Sequence, residues 1–184
     1  MPDATLYREA AACYERARHW TDAARCYRAA GMPLRAAALH ERLGQFDAAA
    51  EDYGAAGEPE TAGWLLVHRL DAPGPARDAV ARASDGPRRD LVLARCDLAE
   101  GGPPALVLPA LRRVRDDLAD PGRVPYPHRD LEEWGLIVAE LAQRFDQAAL
   151  IFAAAVRGRR PGATGRWSRW ADRVLGTPLV IAEG

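Results

Sequence analysis

The sequence predicts an all-α protein, a right-handed α-solenoid of short antiparallel helix pairs followed by a C-terminal helical segment. Three observations carry that reading. Glycine precedes proline in a recurring order, at Gly31-Met32-Pro33, Gly57-Glu58-Pro59, Gly74-Pro75, Gly86-Pro87 and Gly102-Pro103. Gly suits the left-handed residue that closes a helix, and Pro suits the first turn of the next, so each pair marks an end followed by a start. No segment sustains the period-two alternation of a strand, and the one strand-like run is Leu179-Val180-Ile181 in the tail. Finally, the chain repeats itself.

A shift of 26 positions lays Glu15-Arg16 on Glu41-Arg42, Trp20 on Phe46, Ala23-Ala24 on Ala49-Ala50 and Tyr27 on Tyr53. A further shift of 27 carries Ala49, Tyr53 and Ala56 onto Ala76, Val80 and Ala83, and Arg42-Leu43 onto Arg69-Leu70. Each unit then holds two short helices, the second written aromatic-x-x-Ala-x-x-x-aromatic-x-x-Ala. That spacing puts the small and aromatic residues on one helical face, where Ala admits a neighbouring helix and the ring fills the space beside it. The phrase returns as Phe145, Ala148, Phe152 and Ala155.

This phrase resembles the second helix of a tetratricopeptide repeat, and Tyr7, Ala10, Ala11 and Tyr14 stand where that family's first helix carries its packing residues. The likeness covers residues 6–84 well and 128–156 moderately, and fades across 87–120. The family's period is about 34 residues, so the repeat here is shortened to 26–27. The resemblance implies a groove lined by first helices that holds extended peptides or partner helices. Carried over to matched positions, it places Arg8, Glu15 and Arg16 of the first unit in that groove with Arg35, Glu41 and Arg42 of the second. The Lys and Asn with which some members clamp a peptide terminus are missing. An Arg-lined groove instead suits an acidic segment, although Glu and Arg neighbours on a helix also serve simple solvation.

Beyond the repeats, residues 1–86 give way to a helical pair at 87–100 and 104–119, with Pro109 kinking or restarting the second. The proline-rich stretch 121–127 opens a C-terminal region, 121–184, with helices at 128–143 and 145–157, a last helix at 165–175 and an apolar tail. Six arginines against two acids fall in 157–184, interleaved with tryptophan. Arg159, Arg160, Arg166, Trp167, Arg169 and Trp170 therefore form a second candidate patch. It has three readings: a cap for the array, a protein-binding hot spot, or a grip on nucleic acid through guanidinium and indole.

Composition limits function further. The 184 residues include 38 alanines and 25 arginines, no lysine and no asparagine, with a net charge of −1. The Ala/Arg bias is what a GC-rich genome produces, and the expected source is bacterial. Without lysine there is no phosphate-binding P-loop and no Schiff base. Ser84 and Ser168 lie in no nucleophile motif, and the adjacent pairs Asp116-Asp117 and Glu132-Glu133 diverge by about 100° on a helix. The expectation is a protein that is not an enzyme and uses no cofactor and no metal. An alternative enzyme site would lie in 87–157, around His128, Asp130 or Glu133. Cys13, Cys26 and Cys96 read as reduced thiols, and no apolar run reaches the roughly 20 residues of a membrane span. With no export signal read at the N-terminus, the expected compartment is the cytoplasm. Taken together, the repeats and the absent motifs lead to the expectation of an adaptor or scaffold that binds another protein; the resemblance, in a chain of this composition, implies an accessory subunit of a multi-component regulatory or defence assembly.

Overall fold

The computed structural model describes residues 3–120 and 130–176. Every regular element among them is helical. They fall into two compact units, Met1–Ser84 and Asp85–Gly184.

The first unit contains α1 (Ala4–Arg16), α2 (Trp20–Ala29), α3 (Pro33–Arg42), α4 (Phe46–Ala55), α5 (Pro59–Arg69) and α6 (Pro73–Val80). Each packs chiefly against the helix before it and the helix after it, giving a repeat-like stack of adjacent pairs. The true spacing is finer than 26. Left-handed residues stand at Arg18, Gly31, Gly44 and Gly57, thirteen positions apart. The amides of His19, Met32, Gln45 and Glu58 each return 2.9 Å to the carbonyls of Tyr14, Tyr27, His40 and Tyr53. This is the Schellman closure, which pairs carbonyls that a helix end would otherwise orphan.

Small residues keep the same beat. Ala11, Ala23-Ala24, Ala36-Ala37, Ala49-Ala50 and Ala62-Gly63 are all buried, one site per helix. The 26-residue repeat is thus two copies of a 13-residue helix and turn. What distinguishes the copies is the first helical residue, which alternates as Trp20, Pro33, Phe46 and Pro59.

Three expectations change here. Gly74-Pro75 does not separate helices: α6 already begins at Pro73, and the left-handed closure before it belongs to Asp71, with Ala72 N returning 3.0 Å to Leu66 O. Gly86 is an extended N-cap and not a helix terminator. The closing glycine of the next element is Gly101, not Gly102.

The second unit contains α7 (Pro87–Ala99), a 3-10 turn (Pro104–Val107), α8 (Leu108–Ala119), α9 (Asp130–Leu141), α10 (Phe145–Arg157) and α11 (Ala163–Leu175). Pro109 sits in the first turn of α8 and restarts the helix after the 3-10 turn. Here packing is not sequential: α10 lies against α8 and α9, and α7 also meets both of those helices. Larger aliphatics fill this core, including Leu91, Leu111, Val114, Leu131, Val138 and Ile151. The α8–α10 approach is close enough that a Cβ added at Gly158 would meet Leu118 O at 1.8 Å. Residues 121–129 and the tail from 177, with its Leu179-Val180-Ile181 run, lie outside the described residues.

Candidate interaction surfaces

In the first unit the repeat produces a repeated set of side-chain contacts. Tyr27 donates its hydroxyl to Glu15 Oε2 at 2.6 Å, and Tyr53 does the same to Glu41 Oε2 at 3.0 Å. Each bond joins a second helix to the first helix of its own pair. Glu15 also holds the Tyr27 hydroxyl above its usual pKa, because losing that proton would set two anions side by side. The arginines link one pair to the next. The Arg42 guanidinium lies 4.3 Å from the centre of the Trp20 ring, and Arg69 lies 5.2 Å from that of Phe46. A cation over an aromatic face is attracted by the ring quadrupole.

These residues enclose an open pocket of about 370 Å³, lined by Ala38, Glu41, Arg42, Phe46, Tyr53 and Arg69. Of the groove residues expected from the sequence, Glu41 and Arg42 are brought together here. Arg35 is turned to the neighbouring Tyr27, donating to its hydroxyl at 3.2 Å and lying 5.4 Å from the ring centre. Arg16 donates to Cys13 Sγ within its own helix at 3.1 Å, and Arg8 is exposed. Sequence reasoning missed Arg69, Phe46 and Tyr53 as members of the site. Their signal was present in the repeat, since Arg69 answers Arg42 and Phe46 answers Trp20.

A second network in this unit also escaped the sequence reading. Asp52 is buried between α2, α3 and α4, accepting from Arg28 Nε at 2.6 Å and lying 2.8 Å from His40 Nδ1. His40 is itself buried. Three consecutive helices are tied through one carboxylate, an arrangement that fixes their packing.

The C-terminal patch of the second unit is largely turned inward. Arg166 pairs with the buried Glu132, its Nε 3.0 Å from Oε2. Trp170 is buried, and Trp167 stacks at 4.8 Å on Phe152 and at 5.0 Å on Trp170. A base stacking on Trp167 would compete with rings already there. Arg160 donates to the backbone oxygens of Leu118 and Asp117 at 3.1 and 2.8 Å, closing the end of α8. Arg159 and Arg169 remain exposed. Arg166, Arg169 and Trp170 line a pocket of about 270 Å³ with Glu133, Leu136, Ile137 and Arg173, the last of these paired to Glu140.

Of the alternative enzyme site, only the side chain of Glu133 falls among the described residues. Glu133 is exposed, while His128 and the side chain of Asp130 lie outside the described residues. Among the described residues no group of three or more His, Cys, Asp or Glu side chains is placed to hold a metal, and no helix is long and apolar enough to cross a membrane. Among the described residues Cys13, Cys26 and Cys96 form no disulfide, and Cys96 is buried.

Fold and surfaces together define an all-α protein with a repeat-like arrangement of short helices packed in adjacent pairs. Comparison with protein-family models, curated proteins and solved structures finds no match.

Proposed function

We propose that this chain is a non-catalytic adaptor that binds another protein through the arginine-bearing face of its first unit. The observation that carries the reading is the pocket at Glu41, Arg42 and Arg69, where repeat geometry sets charged side chains at the surface on aromatic supports. Stacked short helices make an extended surface of fixed form, and such surfaces suit recognition more than catalysis. Arg with aromatic neighbours is also the composition that dominates binding hot spots. The tetratricopeptide resemblance points the same way and belongs to this proposal. Its shortened period follows from the 13-residue helix and turn.

Affinity capture with the full chain from its native host tests the reading. The expected result is one protein recovered at a stoichiometric level by the wild type and lost with Arg42→Gln/Arg69→Gln. Recovery of no stoichiometric partner contradicts it.

A further inference from the structure

We propose that Arg42 and Arg69 form a two-pronged clamp for a carboxylate side chain in an acidic segment of the partner protein. This rests on the adaptor reading and names the chemistry its site would take. A guanidinium stacks through its face and donates hydrogen bonds through its edge, so an aromatic seat does not consume its donors. Arg42 on Trp20 and Arg69 on Phe46 are therefore oriented cations, and neither forms an ion pair among the described residues. The carboxylate beside them is differently placed. Glu41 already accepts the Tyr53 hydroxyl at 3.0 Å, so one of its oxygens is engaged within its own helix pair.

Charge selects the ligand. Two guanidiniums and one carboxylate line the pocket, leaving a net charge of +1. That balances a single carboxylate. A phosphate monoester carries about −1.5 to −2 at neutral pH, so it would bring excess charge against Glu41. The clamp discriminates by repulsion as well as attraction. It also has a direction along the chain. Arg16, Arg42 and Arg69 each end a first helix, at α1, α3 and α5, so the same cation recurs once per pair. Only the second and third have the ring of a preceding pair beneath them.

The test measures fluorescence anisotropy of two labelled octapeptides against the full-length protein. One consists of eight glutamates; the other alternates four phosphoserines with glycine, giving a similar total charge. The clamp predicts tighter binding of octaglutamate. Arg42→Gln and Arg69→Gln should each weaken it at least tenfold with helical circular dichroism unchanged. Arg82→Gln removes the same charge from the same unit outside the pocket and should change affinity less than threefold. Arg69→Lys, which lacks the planar fork, should not restore full binding. Glu41→Gln should shift preference toward the phosphopeptide.

Octaglutamate that fails to bind, that binds equally to the Arg82, Arg42 and Arg69 variants, or that binds less tightly than the phosphopeptide overturns the clamp. The two readings fail separately. A host partner retained by Arg42→Gln/Arg69→Gln removes the clamp and the arginine-bearing face as the site, and leaves an adaptor that binds elsewhere. Clamp-dependent octaglutamate binding with no host partner removes the adaptor.

Discussion

Asp52 is the residue whose removal should be felt most sharply in the first unit. It is buried and receives both the Arg28 guanidinium and the His40 ring. Asp52→Ala leaves buried polar atoms without their partner, which costs about 1–3 kcal/mol. Urea unfolding should show that loss, with amide exchange accelerating first in α2–α4. Glu132 makes the corresponding case in the second unit, with a pH signature. Burial pushes its carboxyl above the usual 4.5, and the Arg166 hydrogen bond only partly counters this. Above pH 4.5, and up to the raised folded value, the native state retains a proton that the unfolded chain releases. Stability therefore falls as pH rises through that window. Glu132→Gln should flatten the fall, measured as the urea midpoint against pH. Asp146 has the opposite sign: Arg144 holds it below its usual 3.8, so its contribution is present above that value and disappears in acid. None of these three roles was legible in the sequence. A lone Asp or Glu on a helix looks solvated until the neighbouring helix is placed.

At the scale of the helix, two glycines separate backbone conformation from packing. Gly57 closes α4 at φ +80° with nothing within 4 Å of where a Cβ would stand. Gly57→Ala meets only the left-handed penalty and should cost about 1 kcal/mol. Gly158 follows α10 at an ordinary φ of −75°, but its Cβ would collide with Leu118 O. Gly158→Ala must push α8 and α10 apart and should cost about 3 kcal/mol or more. Chemical denaturation of the two variants checks both the order and the gap. Gly57 was readable from its place before Glu58-Pro59. Gly158 was not, because a Gly in an arginine-rich linker gives no sign of a backbone passing beside it. The α11 helix was partly readable. Ala163, Arg166, Trp167, Trp170 and Ala171 follow helical spacing and face the unit, so the spacing that made the tryptophans conspicuous also marked them as packing residues.

Across the whole chain, the all-α class was legible because Gly, Pro and Ala recur with a regular beat. The period was read at twice its length, since aromatic Trp20 and Phe46 stand out while Pro33 and Pro59 at equivalent positions look like punctuation. Repetition also contained the site in part. Arg42 and Arg69 were visible as equivalents, yet the ring beneath each belongs to the preceding pair, a relation that exists only once the helices stack. Of the C-terminal arginines and the acidic pairs, Arg166 and Glu132 are brought together as an ion pair, with Glu132 buried. The account therefore depends on the arginine-bearing face of the first unit. Affinity capture comparing the wild type with Arg42→Gln/Arg69→Gln tests it most directly. A stoichiometric partner held by the wild type and released by the variant, with helical content unchanged, is the predicted result. No partner, or the same partner held equally by both proteins, would contradict it.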